Sequence, residues 1–183
     1  MAISMGGQSN SRQSLSASGE SAPEASSHAR TLAKLVRGKN IHEETLLATD
    51  YLNHFNEVIM LIGMIPDMPE CLEDAKAWKP KSYEDHFRDS AFVDKDLAIL
   101  AYENAPLRFR VPFDKTIAHM NDLVVEGIVR IEEAMGEGNP DKVADIVLNV
   151  SRNLQRFVDA ASAIIHGAER AMDQAEIDTM LQS

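Results

Sequence analysis

Two long stripes of apolar residues, separated by a short link that contains glycine and proline, most strongly constrain the fold of this chain. The first stripe consists of Phe113, Ile117, Met120, Val124, Ile128, Ile131 and Met135, and the second of Val143, Val147, Val150, Leu154, Phe157, Ala161, Ile164 and Ala168. Apolar residues at every third or fourth position form one face of an α-helix. The link ends in Asn139 and Pro140, which are typical of a helix cap and the first helical position. The pattern therefore predicts two long helices, of which the first begins near Pro112.

A third apolar stripe, earlier in the chain, indicates another long helix over residues 41–65. Its apolar face consists of Leu47, Tyr51, Phe55, Val58 and Ile62. Glu43 and Glu44 would lie in its first turn, where the helix dipole favours negative charge. Pro66 and Pro69 follow directly and predict the end of this helix.

Between these long segments, residues 66–93 read as an irregular connection that contains three prolines. Two short helices are predicted within it, at about 69–78 and 83–90. Ser82 is the expected cap of the second, with an acid three residues later at the capping-box position. Asp94 is the expected cap of a further short helix over residues 95–104.

The fold class that follows is all-α, a bundle of three or four main helices with a proline-containing irregular insert. No segment shows the alternation with a period of two that is typical of a strand, and only 5% of the residues are aromatic. Residues 1–28 are predicted to be a disordered arm, because nine of the first 27 residues are serine and few are apolar. We divide the remainder into a helical domain, 29–172, and a C-terminal segment, 173–183.

Composition excludes several classes of function. The chain has 18 Lys and Arg against 29 Asp and Glu, a net charge of -11, which argues against a nucleic-acid partner. Its single cysteine, Cys71, excludes an intramolecular disulfide. No apolar run reaches the roughly 18 residues of a membrane-spanning helix, and no secretion signal is recognisable. These features predict a cytoplasmic protein without a membrane span.

The C-terminal segment carries the most specific motif, Asp-Gln-Ala-Glu-Ile-Asp-Thr-Met-Leu over residues 173–181. It resembles the receiver-docking peptide of CheZ-type chemotaxis phosphatases and of flagellar motor switch proteins. The residues that match the peptide are Gln174, Ala175, Glu176, Ile177, Asp178 and Leu181. Thr179 and Met180 replace an Ala-Leu pair, and Asp173 replaces a serine. The resemblance, which covers nine residues, implies a helix that places Ile177, Met180 and Leu181 in an apolar groove, with Glu176 and Asp178 against a basic residue.

Resemblance to the CheZ-type phosphatases also implies an acid and an amide four residues apart on a long helix. In that family the amide orients the water that attacks the phospho-aspartate of the receiver. The nearest equivalent here is Asp145 and Asn149, which would share one face of the third long helix. Asparagine is shorter than the family's glutamine, and no further CheZ-type sequence surrounds the pair. A solvated helix face is the alternative interpretation.

Histidine and acid pairs provide a second, independent pattern. Four segments read His-x-x-acid, and they begin at His54, His86, His119 and His166. The spacing puts both side chains on one helix face, where they can be ligands of a metal, as in di-iron bundles. The better candidates are His54 with Glu57 and His119 with Asp122, because the fourth pair lies on a polar helix side. This alternative predicts a haemerythrin-like or di-iron-like bundle with iron or another transition metal; a buried His–carboxylate pair that fixes packing explains the pattern equally well.

The segment 95–114 mixes apolar, aromatic and basic residues in a way that neither pattern explains. Arg108 and Arg110 are the only closely spaced arginines of the acidic body, and they are expected to pair with Glu103 and Asp114. With Tyr83, His86 and Phe87, this region is a candidate for the lining of a pocket or a partner surface.

The preferred hypothesis is a regulatory interaction protein of a bacterial chemotaxis or two-component system, which docks a receiver through residues 173–181 and has a further role in its dephosphorylation. No cofactor is required. The alternatives are the metal-binding bundle and a structural or oligomerisation protein, for which the regular stripe after Pro140 would provide a homodimer interface.

Overall fold

The computed structural model describes residues 30–168, which contain helices and no strand, so the all-α fold class is confirmed for this part of the chain. Residues 30–35 are helical, and a short 3₁₀ helix follows at Thr49–Leu52. The six α-helices that come after it are α1 (Asn53–Met64), α2 (Cys71–Ala77), α3 (Tyr83–Asp89), α4 (Lys95–Glu103), α5 (Leu107–Gly136) and α6 (Pro140–Ile165).

The long antiparallel pair of α5 and α6 forms the largest contact between elements, and α1 packs against α6 and α2. Both predicted stripes line this contact. Of their residues all are buried except Met135 and Ala168, which are partly exposed. The helices approach closely at Gly127, where a Cβ atom would lie 2.8 Å from Cγ1 of Val150.

The predicted turn between the two long helices is confirmed. The side chain of Asn139 accepts a hydrogen bond from the backbone N–H of Lys142 at 3.1 Å, and Pro140 is the first residue of α6. Helix α5, however, begins at Leu107 rather than near Pro112. Pro112 lies within the second turn, where the helix tolerates the loss of one N–H donor because both flanking turns pack into the core.

The prediction of one helix over residues 41–65 was wrong in its first half. Residues 41–48 form turns, in which the N–H of His42 bonds to the carbonyl of Leu47, and Leu46 has a positive φ of 60°. The hydroxyl of Thr45 donates to the carbonyl of Ile165 at 2.7 Å. This contact satisfies a carbonyl at the end of α6, so the segment serves as a cap for a distant helix instead of continuing its own.

The short helices occur where they were predicted, within one or two residues. Ser82 caps α3 by accepting from the N–H of Asp85 at 3.0 Å. Asp94 makes no side-chain cap for α4, and its carboxylate pairs with Lys39 instead. That ion pair connects the start of the described chain to the α3–α4 link.

Two further predictions concern the apolar stripe of α6 and a membrane span. The stripe of α6 packs against α5 of the same chain, so it is not the homodimer interface that we considered. No helix within residues 30–168 has the length and apolar character needed to cross a membrane. The arm 1–28 and the segment 173–183 lie outside the described residues.

Candidate functional site

All three tyrosines and the single tryptophan of the chain lie in one aromatic layer between the 3₁₀ helix and the start of α5. The layer contains Tyr51, His54, Phe55, Trp78, Tyr83, His86, Phe87, Tyr102 and Phe113. It gives the irregular insert its own core, because the 3₁₀ helix, α3 and α4 each bury a tyrosine ring there.

Tyr83 is the centre of this layer. Its ring stacks on that of Tyr102 with 4.3 Å between the centroids and 11° between the planes. Its hydroxyl oxygen accepts from the backbone N–H of Ala48 at 2.9 Å. The hydroxyl of Tyr51 donates to the carbonyl of Lys81 at 2.7 Å. Burial raises the pKa of both Tyr51 and Tyr83, so both hydroxyls stay protonated and act in packing.

His54, a predicted metal ligand, is buried and committed to other contacts. Its ring stacks on Trp78 with 4.6 Å between the centroids, and its Nε2 atom donates to the carbonyl of Lys79 at 2.9 Å. Burial lowers its pKa, which favours the neutral ring. Glu57, its predicted partner, is exposed.

The second predicted pair, His119 and Asp122, lies on α5. The ring of His119 stacks on Phe157 at 6.1 Å, and Asp122 is exposed. Within residues 30–168 no group of three or more histidine, cysteine or acidic side chains is arranged to hold a metal. The His-x-x-acid spacing is therefore present without the convergence of ligands that a di-iron bundle requires.

Lowering the pH from 7.5 to 5.5 is expected to reduce the free energy of unfolding. Burial holds the pKa of His54 and of His86 below that of a histidine in an unfolded chain, about 6.5. Below about pH 6.5 the unfolded chain therefore binds more protons, and stability is lost as the pH falls through the two folded values. Burial raises the pKa of Asp114, which acts in the opposite sense: its contribution is lost as the pH rises from about 3.9 through the folded value.

Urea unfolding at the two pH values measures this effect in the wild type, His54→Gln and His86→Gln. Each substitution is expected to reduce the dependence on pH, whereas His166→Gln, at an exposed position, is the matched control. A dependence that is equal in His86→Gln and the wild type would contradict the assignment.

Arg110 and Asp114 form the basic and acidic edge of the aromatic layer. The guanidinium of Arg110 lies 4.3 Å from the centre of the Tyr102 ring and 3.6 Å from a carboxylate oxygen of Asp114. The Tyr102 hydroxyl donates to the same carboxylate at 2.9 Å, and its pKa is raised to about 12, chiefly by burial. The expected pairing of Arg110 with Asp114 is present. The Nη1 atom of Arg110 also donates to Glu103, at 3.4 Å, but to its backbone carbonyl and not to its carboxylate.

Arg108 was expected to pair with an acid near it in sequence, but it bonds across the fold. Its Nη2 donates to Oε1 of Glu44 at 3.0 Å, which ties the start of α5 to the turn over residues 41–48. Both arginines thus pair with carboxylates of the chain itself, Arg108 with Glu44 and Arg110 with Asp114.

Two open clefts flank the aromatic layer. The larger, of about 650 Å³, lies beside His86, and the Lys39–Asp94 ion pair lies at its rim. The smaller, of about 300 Å³, lies against Tyr102 and Asp114. The sequence indicated Tyr83 and His86 as lining residues of a pocket or partner surface, and each lines one of the clefts.

The residues of the proposed catalytic pair, Asp145 and Asn149, lie one turn apart on α6, outside its buried stripe. Asp145 is exposed and Asn149 is partly exposed. The geometry allows both side chains to reach a partner that covers this face. It equally fits a solvated helix face.

A surface that the sequence analysis missed is the outer face of α5, which we define by Leu107, Val111, Ala118, Val125 and Val129. Their spacings of four and seven residues put them on one side of the helix. That side faces away from α6, because Val125 and Val129 each lie two residues, about half a turn, from the contact at Gly127. The exposed fractions are 70% for Leu107, 46% for Val111, 51% for Val125 and 49% for Val129. A search for heptad spacing outside the core stripe would have found this surface.

Comparison of the chain with models of protein families, with curated proteins and with solved structures finds no match. The site is therefore interpreted from its own residues.

Proposed function

We propose that this chain is a regulatory interaction protein of a bacterial signalling system, of the chemotaxis or two-component type, that acts in the cytoplasm. It docks the receiver domain of a response regulator through residues 173–181. The observation that carries this proposal is the agreement of Gln174 to Asp178 with the receiver-docking peptide.

The end of the helical body supports this proposal. Helix α6 ends at Ile165, and Gly167 has a φ of 97°, a conformation that favours glycine and stops a helix. The docking sequence thus begins after the last helix of the hairpin has closed. The carbonyl of Ile165 is already satisfied by Thr45, so the helix end requires no further residues for its cap.

The chemistry of the segment suits a short helix in a groove. Ile177, Met180 and Leu181 would form its apolar face, since they are separated by three and four residues. Glu176 and Asp178 flank this face and provide negative charge for a basic residue of the receiver. A few buried apolar anchors of this kind supply most of the binding energy in such contacts.

Binding of the full-length chain to the purified receiver domains of its host, measured by calorimetry, tests this proposal. At least one receiver is expected to bind, and Ile177→Asp is expected to weaken that binding by about 30-fold, the effect of losing one apolar anchor. Thr179→Asp introduces the same charge on the opposite helix face and is the matched control. If no receiver binds, or if Ile177→Asp and Thr179→Asp have equal effects, the proposal is wrong.

The role in dephosphorylation is tested with the receiver that binds. Phosphate loss from the phosphorylated receiver is expected to be faster with the full-length chain than without it. With Asn149→Ala it is expected to be slower than with the wild-type chain. Gln155→Ala removes an exposed amide elsewhere on α6 and is the control. Equal rates for all three proteins would leave docking as the function and exclude catalysis by this pair.

A further inference from the structure

The outer face of α5 exposes five apolar side chains in line on the longest helix of the described chain, with charged and polar residues such as Lys115 and Asp122 between them. Nothing within residues 30–168 covers this stripe. The stripe extends over 23 residues, from Leu107 to Val129, or about 33 Å along the helix axis. An exposed stripe of this length marks a contact surface. Three observations indicate which occupant it fits.

The first observation is the place where the described chain ends. A Cβ atom on Gly167 would lie 3.5 Å from Oε2 of Glu44, and the other carboxylate oxygen of Glu44 accepts from Arg108 at 3.0 Å. Arg108 is in the first turn of α5, next to Leu107. The chain therefore leaves the body beside the start of the outer face.

The second observation is the distribution of charge along α5. Residues 107–118 carry three basic side chains, Arg108, Arg110 and Lys115, and one acidic side chain, Asp114. Arg108 and Arg110 pair with Glu44 and Asp114, so with Glu44 included three basic side chains stand against two acidic ones, a net charge of +1. Residues 119–136 carry four acidic side chains and one basic side chain. Residues 169–183 also carry four acidic side chains and one basic side chain, so their charge complements the first part of α5 and not the second.

The third observation is length and pattern. As a helix, the 11 residues from 173 to 183 would extend over about 16 Å, which is about the distance along α5 from Leu107 to Ala118. Four residues, 169–172, precede the motif and are long enough to pass from Glu44 around the side of α5 that carries Arg108. The apolar side chains of Ile177, Met180 and Leu181 can then face Val111 and its neighbours.

From these observations we infer that residues 169–183 dock on the outer face of α5, so that the chain covers its own receiver-docking motif. The contact is intramolecular, and its effective concentration is in the millimolar range for so short a connection. The regulatory consequence rests on the proposed function: a receiver has to displace the segment from α5, and its apparent affinity is reduced by the fraction of chains that are closed.

Thiol alkylation of the full-length chain tests the contact. Val111→Cys is expected to react about 2- to 10-fold more slowly than Leu148→Cys, which lies on the outer side of α6 at a similar exposure, 55% against 46%. The native Cys71 is 4% exposed and contributes little background. Adding Ile177→Asp is expected to raise the rate of Val111→Cys to that of Leu148→Cys, and to leave the rate of Leu148→Cys unchanged.

Three results would overturn the inference. Equal rates for Val111→Cys and Leu148→Cys would mean that the stripe is uncovered. Protection that falls on dilution would assign the stripe to a second copy of the chain. Protection that persists in Ile177→Asp at every concentration would assign it to another part of the protein.

Receiver binding separates this inference from the proposed function. Val111→Ser leaves residues 169–183 intact, and it is expected to strengthen receiver binding about 2- to 10-fold because it weakens only the closed state. Leu148→Ser is the control. If no receiver binds while Val111→Cys is protected from alkylation, the proposed function is wrong and the intramolecular contact stands. If a receiver binds equally to Val111→Ser and Leu148→Ser, the intramolecular contact is wrong and the docking function stands.

Discussion

Tyr83→Ala is expected to lower the free energy of unfolding by about 3–5 kcal/mol, the cost of removing a large buried aromatic side chain. Tyr83 is only 3% exposed, and its ring contacts the rings of Tyr51, Phe87, Tyr102 and Phe113. These neighbours come from four different elements. Loss of the ring therefore opens a cavity where the irregular insert meets the long helices.

Tyr83→Phe separates the contribution of the hydroxyl to stability from that of the ring. This substitution keeps the aromatic contacts but leaves the backbone N–H of Ala48 without its acceptor, at a cost of about 1–3 kcal/mol. Urea unfolding of the wild type and both variants, followed by circular dichroism, measures the two contributions. A loss of less than 1 kcal/mol in Tyr83→Ala would show that the aromatic layer is not part of the cooperative core.

Gly127→Ala is expected to destabilise the hairpin of α5 and α6 by about 1–3 kcal/mol, although alanine is the better helix former. The added Cβ would lie 2.8 Å and 3.1 Å from the two Cγ atoms of Val150. Val150 is 1% exposed and has a branched, stiff side chain, so it moves only if the helices separate.

Gly63→Ala is the matched control, because it makes the same change within α1, where a Cβ would meet nothing within 4 Å. It is expected to stabilise the chain by about 0.5–1 kcal/mol through helix propensity alone. In a Val150→Ala background the cost of Gly127→Ala is expected to shrink, since the two positions are coupled by direct contact. Thermal unfolding is measured for the wild type, Gly127→Ala, Gly63→Ala, Val150→Ala and the double variant of Gly127 and Val150. Stabilisation by Gly127→Ala would contradict the close approach of α5 and α6 at Gly127.

The two stability predictions and the proposed function concern different parts of the molecule. Tyr83 and Gly127 hold the helical body together, whereas residues 173–181 carry the proposed docking activity. A variant of the body is expected to affect receiver binding only when it changes the outer face of α5, as Val111→Ser does.

The amino-acid sequence by itself determined the helices whose signals are local. Asn139 and Pro140 locate the start of α6 within one residue, because a cap bonds only to the turn that follows it. Ser82 does the same for α3. The periodic stripes of α5 and α6 predicted their buried faces, since burial on a helix follows its 3.6-residue repeat.

Only the tertiary structure decided the features that depend on residues far apart in the chain. Thr45 bonds to a residue 120 positions away, and this contact turns 41–48 from a predicted helix into the cap of α6. The aromatic layer likewise follows from how short elements pack, as does the lack of a cluster of three or more possible metal ligands within residues 30–168. Spacing along a helix places two side chains on one face, but a site or a layer needs faces from several elements to converge, and that convergence is a property of the packed chain.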